Sequence, residues 1–261
     1  MTVVQTLTSM SEAHRTTGAI LGGGTLLMRQ VSYAPHEVPV LLRVTDPALK
    51  TIGQDGDRLR IGAQVTMAAV MAHGDLRALW PVARAIGGPA LRNMATVGGN
   101  LFAPHPYGDF TTALLALGAR VHWADGRVED LEDFLGSRSA ATGLVAAVSI
   151  PRIRENEFRF IKASRTQPKG VSFLFIAAQL ATIGGRVERA SLAFGAMGPT
   201  PLRAKRVEAA LAGQLLDEAG IATAVVLAGQ EFNPPDDALA SAWYRNRVAP
   251  VYLKRLLLER S

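Results

Sequence analysis

The chain has 261 residues, 48% of them apolar and 19% charged, with a formal net charge of +6. That size buries a substantial core and predicts one large or two modest globular domains, while the composition excludes disorder, collagen and coiled coil. The longest apolar stretch, 171–183, falls short of the roughly 20 residues a bilayer span needs, and residues 1–10 carry no export-type pattern, so a cytoplasmic protein without a membrane span is expected.

Taken in chain order, Thr8, Ser9 and Glu12 offer a helix start that Thr16-Thr17-Gly18 soon ends. A short strand at 19–21 runs into three glycines. Residues 38–44 read as a strand, and 51–52 with 58–61 as a hairpin around Asp55-Gly56. Thr66 caps a helix through Met71, and a second begins near Pro81 and stops at Gly87-Gly88-Pro89. Asp109 is placed as the cap of a helix reaching Leu117. Strands follow at 121–123, 144–150, 158–163, 171–182 and 186–196, with turns at Asp125-Gly126 and Gly184-Gly185. Helices are expected at 205–211, at 217–228 with Gly229 as the stop, and at 244–260 despite Pro250. A mixed first half followed by antiparallel strands and terminal helices is an α+β pattern, with domains at 1–152 and 153–261.

The absence of cysteine removes disulfides, thiolate metal sites and iron–sulfur clusters together. The five histidines, at 14, 36, 73, 105 and 122, are scattered without metal-ligand spacing, so no metal site is expected. No nucleic-acid motif accompanies the cations. Their densest run, Arg152, Arg154, Arg159, Lys162, Arg165 and Lys169, is interleaved with Glu155 and Glu157, and reads equally as a solvated strand face or a docking patch.

Two glycine-rich segments carry the chemistry. In Leu21-Gly22-Gly23-Gly24-Thr25-Leu26, residues without Cβ let the backbone approach a phosphate, although a tight turn explains the same letters. The second segment runs from Ile86 to Leu101 and includes Arg92-Asn93-Met94-Ala95-Thr96-Val97-Gly98-Gly99-Asn100, with Asp109 nine residues beyond the asparagine. Thr96 and Asn100 add side-chain hydrogen bonds, and an ionised Asp109 suits a sugar hydroxyl. From the residues alone this is a nucleotide-cofactor protein.

The second segment closely resembles the flavin signature of the FAD-binding medium subunits of molybdenum-containing hydroxylases, the carbon monoxide dehydrogenase and xanthine dehydrogenase group. That signature reads Arg-Asn-x-Gly-Thr-Ile-Gly-Gly-Asn and then Asp-x-x-x-Asp, with Ala95 here in place of a glycine. Leu21 to Leu26 is similar to the family's first flavin loop, and residues 191–203 with Tyr244-Arg245 to its C-terminal domain. The resemblance implies a two-subdomain, vanillyl-alcohol-oxidase-like FAD domain followed by a smaller domain of three antiparallel strands and helices. It places Leu21, Gly22, Gly23, Gly24, Thr25, Leu26, Thr96, Val97, Gly98, Gly99 and Asn100 around the diphosphate and neighbouring groups, and Asp109 at a sugar or ribityl hydroxyl. Ile86, Val145 and Lys162 stand where relatives touch the cofactor, although Lys162 is equally well an exposed strand lysine. Lys169 and Gly170 depart from the family near the flavin ring.

The implied function is an electron-transfer flavoprotein subunit with non-covalent FAD and no catalytic acid or base of its own. A large molybdenum-cofactor subunit and a small iron–sulfur subunit are the implied partners, in a dimer of heterotrimers. A stand-alone flavin oxidoreductase of the same fold is the alternative, and a basic nucleic-acid-binding or scaffold protein the remaining one.

Overall fold

The computed structural model describes residues 2–166 and 170–258, so Lys169 lies outside the described residues. Two compact units emerge. One comprises the described residues up to Ala103 together with Ala119–Arg152; the other comprises Pro104–Gly118 and the described residues from Ile153 onward.

The first unit opens with β1 (Val3–Leu7), α1 (Met10–Arg15), β2 (Ala19–Ile20), α2 (Leu27–Tyr33) and β3 (Val40–Val44). These strands form a parallel sheet in the order β1-β3-β2. Ser9 accepts from the Glu12 amide while Glu12 accepts from the Thr8 amide, a nearly reciprocal cap that fixes the start of α1. Next come β4 (Ile52–Asp55), β5 (Arg58–Gly62), α3 (Met67–Ala72), α4 (Trp80–Arg84), α5 (Pro89–Met94) and α6 (Val97–Leu101). After α7 (Asp109–Ala116), which belongs to the second unit, the chain returns with β6 (Arg120–Trp123), β7 (Val128–Asp130), α8 (Leu131–Ser137) and β8 (Val145–Pro151). The antiparallel sheet β4-β5-β8-β6-β7 buries Leu59, Ile61, Val121, Val148 and Ile150 on one face. Arg58, Arg60, Arg120 and His122 alternate onto the other.

The second unit holds the antiparallel sheet of β9 (Phe158–Ser164), β10 (Ser172–Ile183), β11 (Arg186–Gly195) and β12 (Leu202–Arg203), followed by α9 (Lys205–Leu211), α10 (Ala222–Ala228) and α11 (Ala242–Leu258). The first nine residues of β10 are buried without alternation because both faces are covered. Phe175 faces Gly195 and Thr112 on the α7 side, while Leu174, Ile176, Leu192 and Phe194 pack with Val207, Ala224 and Leu253 from the later helices. Arg245, fully buried, donates to the Phe173, Pro235 and Ala240 carbonyls and pairs with Asp237 at 2.8 Å. It ties α11 to β10 and to the loop before α11.

Several elements differ from the sequence expectation. Asp109 is not a cap: Gly108 holds that position at φ +111, a left-handed conformation, and the Asp109 carboxylate turns to other partners. α10 starts at Ala222 because the Asp217 side chain accepts from the Gly220 amide, a local bond that competes with helix. Segments 89–94 and 97–101, expected as loop, are short helices; α2 is the helix expected to follow the triple glycine, and β1, β7 and α8 had no sequence expectation. β12 adds a two-residue fourth strand to the expected three.

On the polar face of the five-stranded sheet, His122 Nε2 lies 2.8 Å from the buried Ser149 hydroxyl, which also accepts from Arg58 Nε at 3.0 Å. Burial, and then the nearby Arg60, push the imidazole below its ordinary value. A base whose pKa is lower folded than unfolded contributes stability above the unfolded pKa, near 6.5, and loses it as the pH falls through the folded one. His122→Gln should therefore lose less stability than the parent between pH 7 and pH 5 in urea unfolding. An equal loss in both would contradict this role.

Candidate functional site

The first glycine segment leaves β2 with the Leu21 amide bonded to the Leu42 carbonyl at 2.9 Å, and re-enters regular structure where the Met28 amide reaches the Gly24 carbonyl at 3.0 Å. Between these anchors, the amides of Gly22, Gly23, Gly24 and Thr25 have no acceptor among the described residues. On this accessible turn the four adjacent donors are open to water or to a ligand. The turn is held in place by the second segment. A Cβ on Gly22 would lie 2.8 Å from Thr96 Oγ1, and one on Gly23 would collide with the Met94 carbonyl. Glycine is required here because two stretches of the same unit touch.

The second segment is itself firmly anchored. Arg92 donates to the Arg84 carbonyl at 3.1 Å and to that of Gly87, which has φ +52. Thr96 bridges Thr66, and its hydroxyl caps α6 by accepting from the Gly99 amide at 3.1 Å. The Val97 and Gly98 amides bond the Val65 and Ala63 carbonyls at 2.9 and 2.8 Å. A Cβ on Gly98 would sit 2.9 Å from Ala63 Cβ and O, so this glycine too serves internal packing. Gly99 differs: it is exposed, and its Cβ would approach only Thr96 Oγ1, at 2.9 Å. Ala95, at φ −59, occupies a conformation open to any residue, which is why the family's glycine is dispensable there.

The structure thus brings Gly22 and Gly23 of the first segment against Met94, Ala95, Thr96 and Gly99, while Val97 and Gly98 bond to Val65 and Ala63; Asn100 follows on α6, its amide bonded to the Thr96 carbonyl. Ile86 is half-buried after α4. Val145 opens β8 with its side chain in the core. Asp109 and Lys162 meet in the second unit at 3.0 Å, each side chain only 12% exposed, so Lys162 is not an exposed strand lysine. Ser172 donates to the same carboxylate at 2.8 Å.

Sequence reasoning missed Ser172 and also the partners of His105. The His105 ring lies 3.0 Å from the Gly198 carbonyl and 2.7 Å from Asp237. Burial would raise the Asp237 carboxyl, but hydrogen bonds from His105, Arg245 and the amides of Ala240 and Leu239 hold it far below the usual carboxylate range. The basic run does not form one patch. Arg159 donates to the Leu257 carbonyl at 2.9 Å near the end of α11, Arg165 to that of Ala238 at 3.2 Å, and Arg154 pairs with Glu157. No described helix is long and apolar enough to cross a membrane.

With this geometry in hand, comparison with known proteins gives the family. Residues 2–153 match the family described as FAD binding domain in molybdopterin dehydrogenase, and residues 159–260 the CO dehydrogenase flavoprotein C-terminal domain. The chain belongs to the FAD-binding medium subunits of molybdenum hydroxylases.

Similar proteins include the carbon monoxide dehydrogenase medium chain of Afipia carboxidovorans, 27% identical across 97% of this chain and 90% of that one. The glyceraldehyde dehydrogenase medium chain of Sulfolobus acidocaldarius is 27% identical over 67% of this chain; the match spans 65% of that relative's length, just under two thirds. Among solved structures, the reconstituted CO dehydrogenase from Oligotropha carboxidovorans superposes with a TM-score of 0.88 at 25% identity, covering 100% of this chain and 97% of that one.

Packing separates the glycines. Gly23→Ala should destabilise the chain by more than about 4 kcal/mol, because backbone must move, whereas Gly99→Ala should cost about 1 kcal/mol by displacing one hydroxyl. Denaturant unfolding of the two variants checks this, and equal losses would refute it.

Proposed function

We propose that this chain is the electron-transfer flavoprotein subunit of a molybdenum-containing hydroxylase or dehydrogenase, holding FAD without a covalent bond. The run of amides at Gly22, Gly23, Gly24 and Thr25, which have no acceptor among the described residues, carries the reading. A run of backbone donors is complementary to a diphosphate, and Thr96 and Gly99 pack against Gly22 within it; Val97, Gly98 and Asn100 complete the second segment of the proposed contacts. In the second unit, Asp109 and Lys162 are the further residues this reading assigns to the cofactor. The carboxylate is acceptor-only and suits the hydroxyls of a sugar or ribityl chain, while the ammonium suits an acceptor on the ring or chain. Leu21, Leu26 and Ile86 complete the proposed contacts as apolar flanks, and Val145, with its side chain in the core, contributes backbone only. These residues fit FAD as a ligand with both a diphosphate and hydroxylated carbons.

Bound FAD would supply the exchange between one-electron and two-electron carriers. The residues of this chain bind and orient it, and none is asked to transfer a proton to substrate. Because the chain has no cysteine, thiolate-held iron–sulfur clusters belong on another chain. The proposed assembly is accordingly heteromeric, with a large molybdenum-cofactor subunit and a small iron–sulfur subunit arranged as a dimer of heterotrimers in the cytoplasm. The naming of its relatives as medium chains supports that reading.

Acid precipitation of the purified protein should release a yellow supernatant that runs as FAD on chromatography. The isolated chain should not be reduced by aldehydes or carbon monoxide. Recovery of FMN, colour retained in the pellet, or turnover of such a substrate by this polypeptide alone would each contradict the proposal.

A further inference from the structure

Asp109 is held asymmetrically. Its Oδ2 accepts from Lys162 Nζ at 3.0 Å and from Ser172 Oγ at 2.8 Å, while Oδ1 accepts from nothing among the described residues. Ser172 is 1% exposed, a buried hydroxyl at the head of an apolar strand, and this bond is what satisfies it.

Simple alternation would not deliver that hydroxyl. Lys162 on β9 pairs with Phe175 on β10, so the two share a face of the sheet. Ser172 lies three positions before Phe175, and in a regular strand it would point to the opposite face. The register shifts between Ser172 and Leu174, so that Phe173 is an extra residue and Ser172 pairs with Ser164, on the same face as Lys162. Phe173 itself packs against Tyr244 and Tyr252 of α11. A bulge therefore re-aims one hydroxyl at one carboxylate.

We propose that Ser172 is a positioning residue for the cofactor site: with Lys162 it occupies one oxygen of Asp109 and so leaves Oδ1 presented to a hydroxyl of the bound flavin dinucleotide. This rests on the FAD reading above and deepens it. A terminal carboxylate torsion is broad and roughly two-fold, and an ammonium on a flexible stem attracts either oxygen or both. A short O–H···O⁻ bond from a buried, fixed hydroxyl selects one. Without it, Lys162 is able to bridge both oxygens, and a ligand hydroxyl must then compete with a cation for Oδ1. The selected oxygen accepts and cannot donate, so the group it recognises is a sugar or ribityl hydroxyl and not a phosphate.

The test titrates the full chain, stripped of flavin, with FAD and follows the change in flavin fluorescence. Ser172→Ala should weaken FAD binding about tenfold, and Ser172→Thr, which keeps the hydroxyl, should restore most of it. In an Asp109→Asn background, Ser172→Ala should add no further loss, because its target has already changed; circular dichroism should match the parent throughout. Parent-like FAD affinity in Ser172→Ala, or the same tenfold loss with Asn at position 109, would overturn the positioning role while leaving the cofactor assignment intact. Failure of the parent itself to bind FAD would instead overturn the cofactor reading and, with it, this inference.

Discussion

The constraint on which the first unit's site depends is the contact between its two glycine segments. Gly23 sits so close to the Met94 carbonyl that no side chain fits between them, and the Thr96 hydroxyl lies against Gly22 while capping α6. One segment acts as a template that holds the other in a shape it would not otherwise keep. Among the described residues, the amides of that turn have no protein acceptor. Such donors bond water in the empty protein, and on the proposed reading the diphosphate takes the place of that water.

The second unit applies the same principle with side chains. Its sheet is covered on both faces, and the polar groups that enter it are tied down at several points. Arg245 is satisfied by three carbonyls and one carboxylate, His105 joins that carboxylate from the segment leading to α7, and Asp109 at the first turn of α7 is held by β9 and β10. A buried charge left short of partners would be costly, and each of these has them. The cations of the basic run are drawn into this internal work at Arg159, Lys162 and Arg165.

Much of this was legible in the sequence. Three of the second unit's four strands, β9, β10 and β11, were placed to within one or two residues, because β10 and β11 are long and are joined by Gly184-Gly185. The cap at Thr66 and the helix at Lys205–Leu211 were read from local letters alone. Short helices at 89–94 and 97–101 were not, since five or six residues containing glycine and proline carry no usable periodicity and are stabilised by contacts with distant segments. The resemblance to the flavin signature singled out the two segments, yet their letters did not reveal that the tightest glycine contacts are with the chain itself. Asp109 looked like a helix cap because caps are local, and its actual partners are 53 and 63 residues away at Lys162 and Ser172. Ser172 could not have been assigned a direction at all, because the bulge that turns it has no sequence mark.

The central claim is that the amides of Gly22, Gly23, Gly24 and Thr25 are the diphosphate cradle. Hydrogen–deuterium exchange resolved to single amides, measured with and without FAD, addresses it most directly. The account predicts that these four amides exchange quickly in the flavin-free chain and become strongly protected when FAD is added, with little change in the already bonded amides of Val97 and Gly98. Protection arising elsewhere while these four continue to exchange as in the empty protein would contradict it.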